Sequence, residues 1–154
     1  MTTKLKLYTS PSAFPNPQRL RLFMHEKGII QQVEEVIYDM APGGQQRKWP
    51  HLKMNPWGET PTLDLGNGHF LSESTGIARY MDQQFSGRKI MGETALEQGQ
   101  DTMWDSRIFT HVLYRIVTMF NPLILVDGIE TSEDPILLAR PAAYAVSYGR
   151  RLGH

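Results

Sequence analysis

The sequence predicts an α/β unit followed by an all-α one. The first is a mixed sheet of about four strands with helices on its faces, and the second is helical throughout. Three observations carry this. Strand and helix signals alternate over residues 1–84, and a strand–helix–strand run needs a crossover and therefore a parallel pair. Gly66-Asn67-Gly68 separates two short apolar runs, which makes a hairpin and an antiparallel pair. From Thr94 onward the apolar residues keep a helical period and no strand signal returns.

The elements follow in order. Lys4 to Tyr8 (KLKLY) alternates and reads as a first strand. TSPSAFPNPQ is a proline-rich loop. A helix follows from about Pro17 to Lys27, with Leu20, Leu22, Phe23 and Met24 as its apolar face, Asn16 as N-cap and Gly28 as the stop. QQVEEVIY, ending at Tyr38, is a second strand. Residues 39–54 carry two prolines and two glycines and predict a loop with at most a short irregular helix. Thr60 to Leu65 and His69 to Leu71 form the hairpin, and Ser72 to about Gln83 the next helix, with Ile77, Tyr80 and Met81 on one face. Residues 85–93 read as a linker. Thr94 to Phe120 is the longest helical pattern, marked by Leu96, Met103, Ile108, Val112, Ile116 and Phe120. Beyond it Pro135 and Pro141 allow only one or two short helices. The expected organisation is thus residues 1–84, a linker at 85–93, and a helical unit at 94–154.

Composition excludes several classes of function. Lys+Arg and Asp+Glu number 16 each, so bulk charge favours neither nucleic acid nor an anionic membrane. The apolar runs fall short of the roughly 20 residues that cross a bilayer. MTTKLKLYTS has no apolar core of a signal peptide. The absence of cysteine removes disulfides, thiolate metal sites and a catalytic thiol, and the histidines lack metal spacing. No metal, nucleic acid or membrane partner is expected, and an intracellular, cytoplasmic setting is.

Four stretches carry a family resemblance. NPWGETPTL (Asn55 to Leu63) resembles the asparagine-proline, glycine and cis-proline segment of the glutathione S-transferase family. LSESTGIARYM (Leu71 to Met81) is similar to its Glu-Ser helix start, RLRLFMHEKGI (Arg19 to Ile29) to its first helix, and KIMG (Lys89 to Gly92) to its interdomain linker. The resemblance implies a thioredoxin-like N-terminal domain, an all-helical C-terminal domain, glutathione as co-substrate, a homodimer, and detoxification of small apolar electrophiles.

It also implies a binding site. A cis bond before Pro61 leaves the backbone of Thr60 turned outward, able to pair with an extended peptide as one more strand would. On residues alone, Pro61 reads equally as an edge-strand proline. Glu73 and Ser74 open a helix, whose free N–H groups and partial positive charge suit a carboxylate. The Ser74 hydroxyl adds a donor and Glu73 an acceptor for an ammonium, so the pair complements a γ-glutamyl end. Alternatively, a serine here is an N-cap and Glu73 complements the dipole. Glu59 falls where family members carry a contacting polar residue. Gln46 and Arg47 fall where others meet the glycine end, whose carboxylate Arg47 would suit. His51 and Lys53 read equally as surface residues.

For the thiol, the family uses a hydroxyl, amide or cysteine after the first strand. The candidates here are Ser10, Ser12 and Asn16, with Asn16 equally readable as an N-cap. Phe14 stands ahead of Pro15-Asn16, where some bacterial members carry threonine. Trp104, Phe109 and Tyr114 are expected in core or dimer interface rather than in an electrophile pocket, and Asp101, Asp105 and Arg107 on a solvated helical face. YGRRLGH follows without the capping box expected of the family's second domain, so a shortened C-terminal domain with exposed apolar surface is expected. Three activities remain open: conjugation of glutathione to electrophiles, glutathione-dependent reduction of peroxides or disulfides, and non-catalytic binding or assembly.

Overall fold

The computed structural model describes residues 4–11, 15–40 and 43–113. Residues 12–14 and the expected helices beyond Leu113 lie outside it. Four strands, β1 (Leu5–Thr9), β2 (Val33–Ile37), β3 (Thr62–Asp64) and β4 (Phe70–Ser72), make one sheet in the order β2-β1-β3-β4. β2 runs parallel to β1, while β3 is antiparallel to both β1 and β4. This is the mixed, thioredoxin-like sheet that the strand–helix–strand run and the hairpin require.

Two helices cover one face. α1 (Pro15–Lys27) buries Pro17, Leu20, Phe23, Met24 and Lys27, and α3 (Ser74–Gln84) buries Ser74, Ile77, Ala78, Met81 and Asp82. Both stripes have the three- and four-residue spacing of a helix packed along one side. With Leu7, Val33 and Leu63 of the sheet and Met91 beyond α3, they form the hydrophobic core. Leu22 does not share that face; it is 65% exposed. On the opposite face sits a four-residue helix, α2 (His51–Met54), preceded by a 3₁₀ turn at Gln45–Arg47. Its His51 ring packs edge-on against Tyr8 and Tyr38.

α1 ends in a Schellman arrangement. Ile29 N–H donates to Met24 C=O at 2.9 Å and Gly28 N–H to His25 C=O at 3.0 Å, with Gly28 at φ +72°. At the other end the helix begins two residues earlier than its prolines suggest. Pro15 is helical already, so Asn16 lies in the first turn and is not the N-cap.

α1 and α3 are joined at both ends. Near their starts the Ser74 hydroxyl donates to Asn16 C=O at 3.3 Å. Near their ends Lys27 Nζ meets Asp82 Oδ1 at 2.9 Å, with both side chains fully buried. The helices therefore run parallel, side by side. The Lys27 ammonium also donates to the carbonyls of Arg88 and Asp82. Asp82 accepts the N–H groups of Ile90 and Met91 at 3.0 and 3.1 Å. The pair thereby fixes the segment that leads to α4 (Ala95–Ile108).

α4 opens with a capping box, in which Thr94 and Glu97 exchange side-chain and backbone bonds. Gly92 just before it has no room for a side chain, since a Cβ would stand 2.7 Å from Gln98 N. None of its residues is buried: Leu96, Met103, Trp104 and Ile108 face outward, and the chain continues through a wider π turn at Phe109–Leu113. The predicted period is present, and of the two places expected for Trp104 and Phe109, core or dimer interface, neither residue is in the core. No described helix is long and apolar enough to cross a membrane.

Burial alone would raise the Asp82 pKa, but the bonds from Ile90, Lys27 and Met91 and the Lys27 charge outweigh it and hold it below the ordinary 3.8. The unfolded chain then binds the proton more readily, so the contribution is complete above the unfolded pKa and lost as pH falls through the folded one. Asp82→Asn should lower unfolding free energy by about 3–5 kcal/mol at neutral pH. The gap to wild type should close in acid below the ordinary aspartate range. Denaturant unfolding at a series of pH values checks both, and equal stability at neutral pH contradicts the role.

Candidate functional site

The ladders stop before the sequence motifs begin. β1 and β3 pair up to Tyr8 and Thr62, and β3 and β4 up to Thr62 and Ser72. Continued by two residues, the same registers place Thr60 between Ser10 and Ser74. Thr60 itself joins neither ladder, and its N–H and C=O have no hydrogen-bond partner among the described residues. The Thr60–Pro61 bond is cis, as is Trp49–Pro50. The end of β1 and the starts of β3, α1 and α3 thus meet at one end of the sheet. Open α/β sheets place ligand sites beyond the strands' carboxyl ends, where β1 ends here.

The segment that carries Thr60 is held from behind. Glu59 C=O accepts from Asn55 Nδ2 at 3.0 Å and Thr62 Oγ1 at 3.2 Å, and lies 3.1 Å from His51 Nε2. Asn55 Nδ2 also donates to Thr62 Oγ1, and its Oδ1 accepts from Trp57 N–H. Asn55 and Thr62 are buried, so this closed network is worth more than its separate bonds.

Glu73 links β4 to α3 at φ +67°, ψ 120°, the one non-glycine residue with positive φ among those described. Such backbone costs about 1–3 kcal/mol and gathers at functional sites. No side chain caps α3, so the N-cap alternative for Ser74 does not apply. The first N–H groups of α3 lack intrahelical acceptors. Glu73 keeps much of its surface in water, yet its carboxyl is raised above the ordinary 4.5 by partial desolvation and by the Glu59 charge. Two carboxylates that repel each other favour a cation between them.

The remaining candidates surround this point. Ser10 is 1% exposed, and its hydroxyl, like that of Thr9, has no hydrogen-bond partner among the described residues. Asn16 Oδ1 is likewise buried and unpaired, while its backbone carbonyl meets Ser74. Gln46 and Arg47 are buried in the turn before α2, with Gln46 Oε1 unpaired. Ser12 lies outside the described residues. The structure therefore brings together Ser10, Asn16, Thr60, Pro61, Glu73 and Ser74, with Glu59 beside them. Gln46 and Arg47 adjoin through α2.

A glutathione S-transferase N-terminal domain model matches residues 15–84. A glutathione S-transferase of Emericella nidulans is 30% identical over 119 residues, 77% of this chain and 42% of that protein. The maleylacetoacetate isomerase of Pseudomonas aeruginosa is 27% identical over 100 residues, 63% of this chain and 45% of its own. Among solved structures, a glutathione S-transferase domain-containing protein of Marinobacter aquaeolei superposes with a TM-score of 0.71 at 27% identity, over 96% of this chain and 72% of the other.

Residues 15–84 belong to the glutathione S-transferase N-terminal domain family.

The chain spans less than half the length of the curated relatives named here. Within it three polar residues escaped the sequence reading. His51, read as equally suited to the surface, is fully buried and contacts Glu59 C=O. Asp105, expected on a solvated face, receives both Arg19 of α1 and the Thr75 hydroxyl of α3. Asp101 lies 3.9 Å from Arg79 of α3. Arg107 alone of that trio stays on the surface, stacked 5.1 Å from the Trp104 ring. Asp101 and Asp105 help line a cleft of about 110 Å³ between α1, α3 and α4, which also touches Ser74 and Met91. No sequence signal marked His51; Asn55 at least stood in the asparagine-proline motif.

Tyr38 stays protonated, its pKa pushed up to about 12 by burial and then by the neighbouring Tyr8. His51 moves the other way. Burial lowers it most and the Arg47 charge lowers it further, against a smaller rise from the bond to Glu59 C=O. A neutral folded histidine stabilises above its unfolded pKa, and that stability is lost as pH falls below it. The His51 ring, followed by NMR, should therefore titrate below the ordinary 6.5; titration at or above it would contradict the buried neutral imidazole.

Proposed function

We propose that the chain binds glutathione between Thr60 and the start of α3, and activates its thiol for transfer to a small apolar electrophile. One observation carries this: an unpaired backbone N–H and C=O at Thr60 stand beside an α3 N-terminus that no side chain caps. The cysteinyl part of an extended peptide can pair with Thr60 as an added strand. Its γ-glutamyl carboxylate suits the α3 N–H groups and the Ser74 hydroxyl, and its ammonium suits the carboxylates of Glu73 and Glu59. Arg47 and Gln46 would serve the glycine end.

A free cysteine thiol has a pKa of about 8.5, so at neutral pH most of it is protonated. Donation from the Ser10 hydroxyl, from Ser12, or from the Asn16 amide would stabilise the thiolate. Its proton leaves to solvent, a sulfur–carbon bond forms, and the electrophile releases its leaving group or takes up a proton. The unpaired hydroxyl of Ser10 places it first among these donors. The proposal includes the division into residues 1–84, 85–93 and 94–154, a cytoplasmic homodimer, and a role in detoxification. The outward-facing apolar residues of α4 support a partner surface. Binding without turnover, the assembly-module alternative, is favoured by Phe14 ahead of Pro15-Asn16.

Retention on immobilised glutathione, followed by thiol conjugation to a model electrophile, tests the reading. Wild type should be retained and should conjugate. Ser74→Ala should weaken binding by about 1–3 kcal/mol, or about 5- to 150-fold, because the hydroxyl that would turn from Asn16 C=O to the carboxylate is lost. Failure of wild type to be retained overturns glutathione binding; retention without turnover leaves binding and removes the transferase step.

A further inference from the structure

Arg21 of α1 lies on neither the core stripe nor the outer surface; its side chain is 16% exposed. Its Nε donates to both carboxylate oxygens of Glu35 on β2, at 2.9 and 3.2 Å. Its Nη2 donates to the backbone carbonyl of Ser10 at 2.8 Å. The preceding carbonyl, of Thr9, accepts Tyr38 N–H, also at 2.8 Å. Ser10 is therefore held on both sides, by β2 through Tyr38 and by α1 through Arg21. Its hydroxyl is buried without a hydrogen-bond partner among the described residues.

The core already attaches α1 to the sheet through Leu20, Phe23 and Met24. A half-buried guanidinium adds a desolvation cost to that packing, offset only where its donors are used. Arg21 uses Nε on one carboxylate and Nη2 on one carbonyl, that of the first residue past β1, while Nη1 is buried without a partner among the described residues. A lysine could not reproduce this, because the planar guanidinium presents its donors in fixed directions to two partners at once.

We propose that Arg21, braced by Glu35, is a positioning residue that sets the direction of the Ser10 hydroxyl toward the glutathione sulfur. This rests on the proposed binding of glutathione and deepens it. Arg21 from α1 and Glu35 from β2 balance each other's charge, and the Glu59 and Glu73 carboxylates of the site are the same in every variant compared. A purely electrostatic influence on the thiol and a positioning influence then predict opposite signs for Glu35→Gln. Removing a negative charge would lower the thiol pKa. Releasing the brace on Arg21 would raise it.

The test follows thiolate absorbance of bound glutathione against pH, together with glutathione affinity, for wild type, Ser10→Ala, Glu35→Gln, Arg21→Gln and the Ser10→Ala/Arg21→Gln pair. Glu35→Gln should raise the thiol pKa while glutathione affinity holds, and Arg21→Gln should raise it further. A one-unit rise would lower the thiolate fraction at neutral pH by up to about tenfold, the more so the higher the starting pKa. In the Ser10→Ala background Arg21→Gln should add nothing, since the two act through one hydroxyl. A lowered or unchanged thiol pKa in Glu35→Gln overturns the inference, as does an additive double variant or an unaffected Ser10→Ala, and each leaves glutathione binding standing. Wild type that fails to bind glutathione overturns the underlying reading and this inference with it. Glu35→Gln, which keeps the size and shape of the side chain, decides the question even where Arg21→Gln fails to fold.

Discussion

The ion pair between Lys27 and Asp82 is the constraint on which the rest of the structure depends. It lies at the C-terminal ends of α1 and α3, away from water, and joins them to residues 88–91. A buried pair contributes little net stability compared with apolar residues of the same shape, but breaking one partner is costly. Its effect is therefore geometric. It selects one sliding position of α1 against α3, and with them fixed as parallel neighbours the helices' N-termini have one arrangement. That arrangement puts Asn16 beside Ser74 at the start of α3.

The two ends of this helix pair differ in how their polar groups are satisfied. At the Lys27–Asp82 end the three ammonium protons and both carboxylate oxygens have partners. At the other end, Thr9 Oγ1, Ser10 Oγ and Asn16 Oδ1 are buried without any, and nearby Gln46 Oε1 and His51 Nδ1 share that state. Unpaired buried polar atoms cost stability and are few in native proteins. Their concentration beside Thr60 and the strained Glu73 backbone, opposite the paired Lys27–Asp82 end, supports the proposed ligand site. The same contrast explains why Arg21 and Glu35 matter: they supply rigidity at the open end that the apolar core does not reach.

Much of the fold was legible because its signals are local. The Gly66-Asn67-Gly68 turn sets the hairpin, and Gly28 ends α1 in the left-handed conformation that its position requires. The segments proposed to bind glutathione stood out through the order and spacing of Thr60-Pro61 and Glu73-Ser74. The start of α1 was not, because Pro15 and Pro17 both suit a first turn and only the fold chooses between them. Leu22 and the α4 stripe kept a helical period without revealing which side would meet the core. His51 and Asp105 were missed for a related reason. Asp105 meets Arg19 from 86 positions away, and no local pattern carries such a contact.

The central claim is that the free backbone of Thr60 and the uncapped start of α3 form one glutathione slot. Residue-resolved amide hydrogen exchange, with and without reduced glutathione, tests it directly. Bound peptide should slow exchange at Thr60, whose N–H would gain an acceptor, and at the first amides of α3, while the Lys27–Asp82 end stays unchanged. Protection confined to other parts of the chain, or none at saturating glutathione, would contradict the account.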